Sequence, residues 1–480
     1  MNVLPKSNWI QILISLLVLT TIASCATGNN LGSVPAQKTW TQNDIEQVVE
    51  NWRERSSVPG VVVGISLPNR AEIIIASGQS NVEDGIALKK DDQFRIASIT
   101  KTFIAAEVLR FASEGQIKLD NPLNYYLPNT PHGDVVTIRH LLSHRSGYFD
   151  PVHDDPGFIT YVAENLGKLW TWEEMLTITF QHDLFFNPGD DYKYSNTNYI
   201  LLALVIEKIT GRSLGDVLTS DLIAPLHLDR TLYVTPATHT EQIDLTHGYA
   251  THPLTGEIVD TMTIPYATIV SVSADTMISN ASDLLKWSRA IYGRNSTVID
   301  PVYQEQMFTF DMISPYGLGV FRNKTPIGVS FGHGGDTAGY LSLMEYFSEQ
   351  DMSMVILVNV DTPSINLSEL RDLLLAALYK VDLDMGITDL IADLKSDDAS
   401  TRKDAIIALG HSGSNSEEAI QALITILKED TSVDNRREAA LALGLVGKDS
   451  DQARQALNDA LHDEDESVKE AAGIALSILK

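Results

Sequence analysis

Two β-rich hydrophobic runs near the start of the chain predict a β-hairpin. Val61–Leu67 and Ile73–Ser77 contain many β-branched residues, and the turn-forming sequence Pro68-Asn-Arg lies between them. Before this hairpin, the apolar positions of Gln42–Ser56 recur with the period of an α-helix. The first part of the chain is therefore predicted to pair one helix with two antiparallel strands.

Strand-like runs return only after a long region, from Ser98 to about Asp311, in which helices alternate with loops rich in Pro, Gly and Asp. The later runs are Gly317–Phe321, Val329–Phe331, Tyr340–Phe347 and Met352–Val360, and an amphipathic helix over Leu367–Val381 follows them. Sheet elements thus occur at both ends of this part of the chain. We predict an α+β fold class, in which both ends share one antiparallel sheet and the helices between form a subdomain.

The last hundred residues have a different organisation. Arg402-Lys-Asp-Ala-Ile-Ile-Ala-Leu-Gly recurs 34 residues later from Arg436 and again, 32 residues after that, from Val468. A partner helix precedes each copy, over Thr388–Leu394, Ala419–Leu427 and Ala453–Leu461. This period predicts an α-solenoid over residues 387–480, which resembles short HEAT-like repeats. A plain helical bundle is the alternative.

Composition limits the classes of partner. The chain has 480 residues, of which 44% are hydrophobic, so it is long enough for two or three globular domains. Its net charge of -28 argues against a nucleic-acid partner, because binding to phosphates requires a cationic surface. Cys25 is the single cysteine, so no intramolecular disulfide can form.

The amino terminus has the pattern of an export signal. Residues 1–24 contain Lys6 and then an apolar run that is too short to span a membrane comfortably. Ile22-Ala-Ser-Cys25 resembles the lipobox of bacterial lipoproteins, which implies cleavage before Cys25 and a lipid on its sulfur. We therefore expect a lipid anchor, a flexible tether over residues 25–40, and a location in the bacterial cell envelope, on the periplasmic side of the outer membrane. An ordinary signal peptide is the alternative.

Ser98 and Lys101 are spaced for nucleophilic catalysis. A serine hydroxyl needs a nearby base, and residues i and i+3 share one face of the helix that Ser98 is predicted to open. The spacing alone is weak, because Ser400-Thr-Arg-Lys403 in the repeats has it too. Its significance depends on partners elsewhere in the chain.

Two further motifs follow in order. Tyr194-Ser-Asn196 precedes a predicted helix, and His333-Gly-Gly335 lies between strand-like segments. This order resembles that of the serine penicillin-recognising enzymes, and the Y-x-N form is similar to the class C β-lactamase and D-Ala-D-Ala carboxypeptidase branch. The resemblance covers residues 41–382. It implies an antiparallel sheet of the β-lactamase/transpeptidase type, flanked by helices.

The resemblance also implies a role for each residue of the motifs. Ser98 would be the nucleophile, Lys101 would help to deprotonate it, and Tyr194 would act as general base or proton relay. Asn196 would bind the substrate amide and Lys101. Alternatively, Asn196 caps the helix that follows it.

The third motif is implied to bind substrate. His333 would polarise Tyr194 and attract a substrate carboxylate, and Gly334 and Gly335 would let substrate lie against the strand. The backbone N–H groups of Ser98 and Asp336 would form the oxyanion hole. The other histidines that we considered, His140, His144 and His182, are interpreted as structural, and we expect neither a metal nor a cofactor.

Two departures from the family pattern leave the substrate open. Histidine replaces the usual lysine at position 333, and Asp336 replaces a small hydroxyl residue, so both disfavour a substrate with a free carboxylate. We expect an acyl-enzyme hydrolase of the D-Ala-D-Ala carboxypeptidase or β-lactamase-like type, acting on a small molecule or a peptidoglycan peptide. An esterase is one alternative. Another is a binding or sensor lipoprotein that works through a protein partner on its repeats.

Overall fold

The computed structural model describes residues 35–165, 168, 170–235, 244–251, 257–263, 276–310, 314–362, 365–381, 383–411, 416–448 and 450–479. The predicted signal peptide, Cys25 and most of the tether lie outside these residues. Their proposed processing therefore stays a prediction.

Twelve strands are described, most of them in one large sheet. They are β1 Gly60–Ser66, β2 Ile73–Asn81, β3 Ile86–Ala87, β4 Phe94–Arg95, β5 Leu232–Tyr233, β6 Tyr249–Thr251, β7 Ile258–Asp260, β8 Met277–Ser279, β9 Phe321–Thr325, β10 Gly328–Thr337, β11 Tyr340–Phe347 and β12 Met352–Val358. Seven of them form an antiparallel sheet in the order β3-β2-β1-β12-β11-β10-β9. The predicted hairpin and the sharing of one sheet by both ends of the domain are thereby confirmed.

The helices surround this sheet and form the carboxy-terminal part of the chain. They are α1 Gln42–Arg55, α2 Thr100–Ser113, α3 Ile138–Leu142, α4 Pro151–Asp154, α5 Pro156–Glu164, α6 Trp172–Thr179, α7 Asn196–Thr210, α8 Leu214–Leu218, α9 Ala281–Tyr292, α10 Pro301–Met307, α11 Leu367–Leu378, α12 Leu383–Asp393, α13 Ala399–His411, α14 Glu417–Glu429, α15 Val433–Val446, α16 Asp451–Ala460 and α17 Glu466–Ile478. Within the described residues, none of them is long and apolar enough to cross a membrane.

Both faces of the central strands are buried. Every residue of β1 and β12 is buried, as expected for strands that are covered on both sides. On one face Val61 packs in a cluster with Trp52 of α1 and Leu374 of α11. On the other face the core includes Phe103 of α2 and Trp287 of α9, whose rings stack at 3.8 Å. This second layer carries the helical subdomain.

The structure corrects two details of the middle region. Gly317–Phe321, predicted as a strand, is mostly loop, and β9 begins only at Phe321. Gly319 has a φ of +80°, and a Cβ there would lie 2.2 Å from the Cβ of Ala105, so the segment bends against α2. The predicted helical region also contains short strands, which form small sheets in the orders β4-β8-β5 and β6-β7.

The repeats form stacked helix pairs, as predicted. Gly410 and Gly444 occupy matching positions, and a Cβ at either would lie within 2.8 Å of an alanine Cβ on the next repeat. Arg402 pairs with Asp430 of the following repeat through two hydrogen bonds, of 2.7 and 2.8 Å. Arg436 pairs in the same way with Asp463. Small residues and repeated ion pairs therefore join successive repeats.

Candidate active site

Ser98 lies where the polypeptide enters α2. It occupies one turn of 3₁₀-helix, Ala97–Ile99, and its side chain is partly exposed. Ala97 has a φ of +44°, a left-handed conformation that is uncommon for residues other than glycine. The carbonyl of Ile96 accepts a 3.0 Å hydrogen bond from Ser342 Oγ on β11. The turn that carries the hydroxyl is thereby fixed to the sheet.

Lys101 lies beneath Ser98, one helical turn further along. Its Nζ donates hydrogen bonds to Ser98 Oγ at 3.0 Å and to Asn196 Oδ1 at 2.8 Å. The side chain is 0% exposed, so this cation is placed inside the protein. A buried ammonium is costly unless polar groups surround it, which makes a role in chemistry more plausible than a role in stability.

Tyr194 completes a cluster around the serine hydroxyl. Its hydroxyl lies 2.9 Å from Ser98 Oγ, and its ring centroid lies 5.1 Å from Lys101 Nζ. Tyr194 and Ser98 lie 96 positions apart in the sequence. We call Ser98, Lys101, Tyr194 and Asn196 the Ser98 cluster. The structure thus brings together four residues that the sequence placed in two separate motifs.

Asn196 opens α7, yet its side chain does not cap that helix. Its side-chain oxygen Oδ1 accepts a hydrogen bond from Lys101 Nζ. Its backbone N–H donates a hydrogen bond to Asp150 Oδ2 at 2.8 Å. Asp150 therefore satisfies one of the free amide groups at this helix end. This arrangement leaves the Asn196 amide group on the side of the Ser98 cluster, and it argues against the capping interpretation.

An ion pair between a buried aspartate and a half-exposed histidine supports this helix end. Asp150 is 0% exposed, and its Oδ2 lies 2.7 Å from His153 Nδ1. Burial raises the pKa of Asp150, but the hydrogen bond from His153 and backbone donors outweigh it and hold the pKa below its usual value. The same hydrogen bond raises the pKa of His153. His153 is partly exposed and its ring lies 5.9 Å from that of Tyr194.

His144 supports the Ser98 cluster from behind. Its Nδ1 accepts hydrogen bonds from the Ser195 backbone N–H at 3.2 Å and from Asn198 Nδ2 at 3.1 Å. Burial lowers the pKa of His144 well below its usual value, and the charge of Lys101 acts in the same direction. The imidazole is therefore neutral and serves as an acceptor. Its position agrees with the structural role expected for it.

His333 is placed inside the sheet rather than towards solvent. It is 2% exposed, its Nδ1 donates to the Gly334 carbonyl at 2.6 Å, and its Nε2 lies 2.9 Å from the Tyr316 hydroxyl. Burial raises the pKa of Tyr316 well above its usual value, so the phenol keeps its proton. The ring centroid of His333 lies 6.4 Å from that of Tyr194. Contact between His333 and a substrate carboxylate stays a prediction that this burial does not favour.

The glycines after His333 bring β10 close to the Ala97–Ile99 turn that carries Ser98. A Cβ on Gly335 would lie 2.2 Å from the Ile96 carbonyl oxygen, whereas one on Gly334 would meet only the Ser342 carbonyl oxygen, at 3.6 Å. The described pairing of β10 with β9 ends at Gly332, so the following residues pair with β11 alone. This edge is suited to a substrate that lies along it. The oxyanion role of the Asp336 N–H stays a prediction.

Sequence reasoning missed three residues that shape this site: Tyr316, Asp150 and His153. The i, i+3 spacing of Asp150-Pro-Val-His153 was an available signal, because it places both side chains on one face of a short helix. Tyr316 has no such signal, since its contact with His333 arises only in the folded sheet.

One group of metal-ligating side chains occurs within the described residues, at the β6–β7 hairpin. Glu83, His247 and Asp260 bring ligand atoms within 4.8 Å of one another. His247 Nδ1 already bonds Asp260 at 2.7 Å, and Glu83 accepts from Tyr249 at 2.9 Å. These hydrogen bonds account for the grouping, so we assign no metal to it.

Comparison with known families agrees with this geometry. The β-lactamase family model matches residues 45–378, and the HEAT-repeat model matches residues 387–477. Penicillin-binding protein 4* of Bacillus subtilis is 26% identical over 302 residues, which are 59% of this chain and 64% of that protein. The chain therefore spans slightly less than two thirds of this relative.

Solved structures extend the comparison. A D-stereospecific amidohydrolase from Streptomyces has 29% identity and a TM-score of 0.57, over 67% of this chain and 95% of that one. D-amino acid amidase from Ochrobactrum anthropi, in complex with D-phenylalanine, has 26% identity and a TM-score of 0.61, over 70% and 98% of the two chains. Since the family match covers well over half of the sequence, the chain belongs to the β-lactamase family, a family of serine hydrolases, and continues into HEAT repeats.

Proposed function

We propose that this protein hydrolyses amides through an acyl-enzyme on Ser98. The observation that carries the proposal is the position of Ser98 Oγ, which lies 3.0 Å from Lys101 Nζ and 2.9 Å from the Tyr194 hydroxyl. A serine with a base and a cation within hydrogen-bond reach is an activated nucleophile. The amide preference rests on the relatives, which include two amide hydrolases.

In the first step, Tyr194 accepts the proton of Ser98 while Oγ attacks the substrate carbonyl carbon. The buried charge of Lys101 stabilises the negative charge that Tyr194 carries when it acts as a base. The N–H groups of Ser98 and Asp336 would bind the oxyanion of the tetrahedral intermediate. Collapse of the intermediate breaks the C–N bond, and the proton held by Tyr194 passes to the leaving amine.

In the second step, water replaces the amine. Tyr194 takes a proton from water, the resulting hydroxide attacks the ester carbonyl, and Ser98 recovers its proton as the acid leaves. Asn196 is held by Lys101 at 2.8 Å, so its amide group is oriented to bind the substrate amide throughout. Peptides that end in D-Ala-D-Ala, β-lactams and amino-acid amides all fit this chemistry. Short esters fit it too, and an esterase is the second candidate.

Covalent labelling tests the proposal. A fluorophosphonate probe should label the protein once, at Ser98, and intact-mass measurement should detect an acyl-enzyme with at least one of a β-lactam, a D-Ala-D-Ala peptide or an ester. Ser98→Ala should abolish labelling. Ser400→Ala is the matched control, because Ser400 has the same spacing to a lysine but lies in the repeats, and it should label normally. Labelling that persists in Ser98→Ala would refute the proposal.

We further propose that Cys25 carries a lipid that anchors the protein in the cell envelope. The support is the lipobox-like sequence before it. Cells fed radiolabelled palmitate should transfer label to the full-length protein but not to its Cys25→Ser variant. Label that persists in that variant would contradict the anchor.

The repeats support a third candidate function, protein binding. Repeat arrays of this kind present extended surfaces to partners. Deleting residues 387–480 should leave acylation unchanged and remove any partner that the intact protein captures. If neither form of the protein reacts with any substrate, the binding function is favoured over the hydrolase.

A further inference from the structure

Asp336 lies on β10, one residue after Gly335, which packs against the Ile96 carbonyl two residues before Ser98. Successive side chains of a strand point to opposite faces, so Asp336 shares a face with Gly334, and His333 shares the other with Gly335. His333 is buried and a Cβ at Gly335 would strike Ile96, whereas Asp336 is exposed. Its carboxylate therefore extends from the side of the strand that Gly334 leaves uncovered.

The groups around Asp336 do not neutralise the negative charge of its carboxylate. Burial raises the pKa of Asp336, and the charge of His153, which itself lies 2.7 Å from Asp150, acts in the opposite direction. Asp361, after β12, is close enough for its charge to interact with that of Asp336. Burial raises the pKa of Asp361 to about 6, and the charge of Asp336 adds to the rise. Above that pH two carboxylates act on the same end of β10.

We propose that Asp336 selects substrates with a free, protonated amine beside the scissile acyl group, such as unblocked amino-acid amides. This inference rests on the proposed function, since it assumes that Ser98 is acylated. The backbone N–H and the carboxylate of Asp336 belong to one residue. A carbonyl oxygen bound by that N–H would bring the acyl group and its α-substituents to the residue that carries the carboxylate.

The chemistry of this position favours an ammonium and opposes a carboxylate. A charged hydrogen-bond pair is stronger than a neutral one, and a site that offers such a partner discriminates against a ligand that lacks it. A substrate carboxylate at the same place would be repelled. Asp336 thus favours cationic over anionic substrates at this position.

Three substrates that differ only at the amine test the proposal: D-phenylalanine p-nitroanilide with a free amine, with an N-acetyl group and with an N-succinyl group. The wild-type protein should prefer the free amine to the acetyl form by at least about tenfold in kcat/KM, and the succinyl form should be the slowest. In Asp336→Asn the ratio of kcat/KM for the free-amine substrate to that for the acetyl substrate should fall at least about tenfold. The ratio of kcat/KM for the succinyl substrate to that for the acetyl substrate should rise.

The control and the failures can be separated. Asp397→Asn removes one exposed carboxylate from the repeats and should leave all three ratios as in the wild type. If Ser98 reacts with fluorophosphonate but the ratios do not change in Asp336→Asn, this inference is wrong and the proposed function stands. A protein whose Ser98 does not react with the probe overturns both.

Discussion

The ring centroid of His144 lies 4.2 Å from that of Tyr194, and the imidazole is completely buried. The same imidazole accepts a hydrogen bond from the backbone N–H of Ser195, the next residue in the chain. His144 therefore contacts the ring of Tyr194, the residue proposed as the base, and holds the main chain at the peptide bond that follows it. Its contribution to catalysis would be to position Tyr194.

Replacing His144 by phenylalanine should weaken both the fold and the reaction. The ring is kept, but two buried donors, Ser195 N–H and Asn198 Nδ2, lose their acceptor, which costs about 1–3 kcal/mol of unfolding free energy. We expect kcat to fall at least about tenfold, and KM to change less. Urea denaturation and steady-state kinetics measure these effects. His182→Phe is the control, because His182 is exposed and stacks on Phe149, so it should behave like the wild type.

Replacing Lys101 by methionine should separate stability from activity. The substitution removes a fully buried charge and keeps much of the side-chain volume, which offsets the lost hydrogen bond to Asn196 Oδ1, so the free energy of unfolding should change little. The rate of Ser98 acylation should fall at least about 100-fold, since the Ser98–Tyr194 pair loses its cation. Stopped-flow labelling and thermal denaturation would show both. Lys403→Met, in the repeats, should change neither, and a large loss of stability in Lys101→Met would assign Lys101 a structural role.

Adding a methyl group at Gly335 should displace the Ala97–Ile99 turn that carries Ser98, whereas adding one at Gly334 should not. The Gly335→Ala methyl would lie 2.2 Å from the Ile96 carbonyl oxygen and 2.4 Å from Ser342 Oγ, so the strand or the turn must move. We expect a loss of about 1–3 kcal/mol in unfolding free energy, together with loss of Ser98 labelling. Gly334→Ala has room and should unfold within about 0.5 kcal/mol of the wild type. Equal behaviour of the two variants would contradict this account of β10.

The Asp150–His153 pair should make stability depend on pH. The folded pKa of His153 is raised, so its contribution is complete below its unfolded pKa of about 6.5 and is lost as pH rises through the folded value. The folded pKa of Asp150 is lowered, so Asp150 stays ionised in this range. The wild type should therefore have a higher free energy of unfolding than His153→Gln, and this difference should be larger at pH 5.5 than at pH 9. Since half of the His153 side chain is exposed, we expect less than about 1 kcal/mol. A difference that is the same at both pH values would rule out the charged pair.

Sequence patterns predicted the shared sheet for a physical reason. β1 and β12 are continuous apolar runs that can be buried only in the centre of a sheet, so their pairing follows from composition. Ser98, Lys101 and Tyr194 carry reactive groups in a recognisable order. The apolar runs were sufficient to predict the shared sheet, whereas the convergence of the motifs was implied by their resemblance to the serine penicillin-recognising enzymes.

The residues that support the Ser98 cluster could not be assigned their roles from the sequence. Asp150 and His153 have the i, i+3 spacing of one helix face, but the burial of Asp150 is known only from the fold, and Tyr316 meets His333 only after β10 has joined the sheet. The Gly317–Phe321 run has the composition of a strand, but close packing of Gly319 against α2 bends it into a loop. Tertiary packing decided each of these cases, and packing depends on residues far away in the sequence.

The left-handed backbone of Ala97 also bears on how such a protein could lose its chemistry. Glycine adopts this conformation without steric cost, so the exchange of Ala97 for glycine would relieve strain. It would also free the adjacent Ser98 to leave its orientation. Exchange of Ala97 for glycine should therefore leave a folded protein whose hydroxyl reacts poorly, a scaffold that can still bind but no longer turns over substrate.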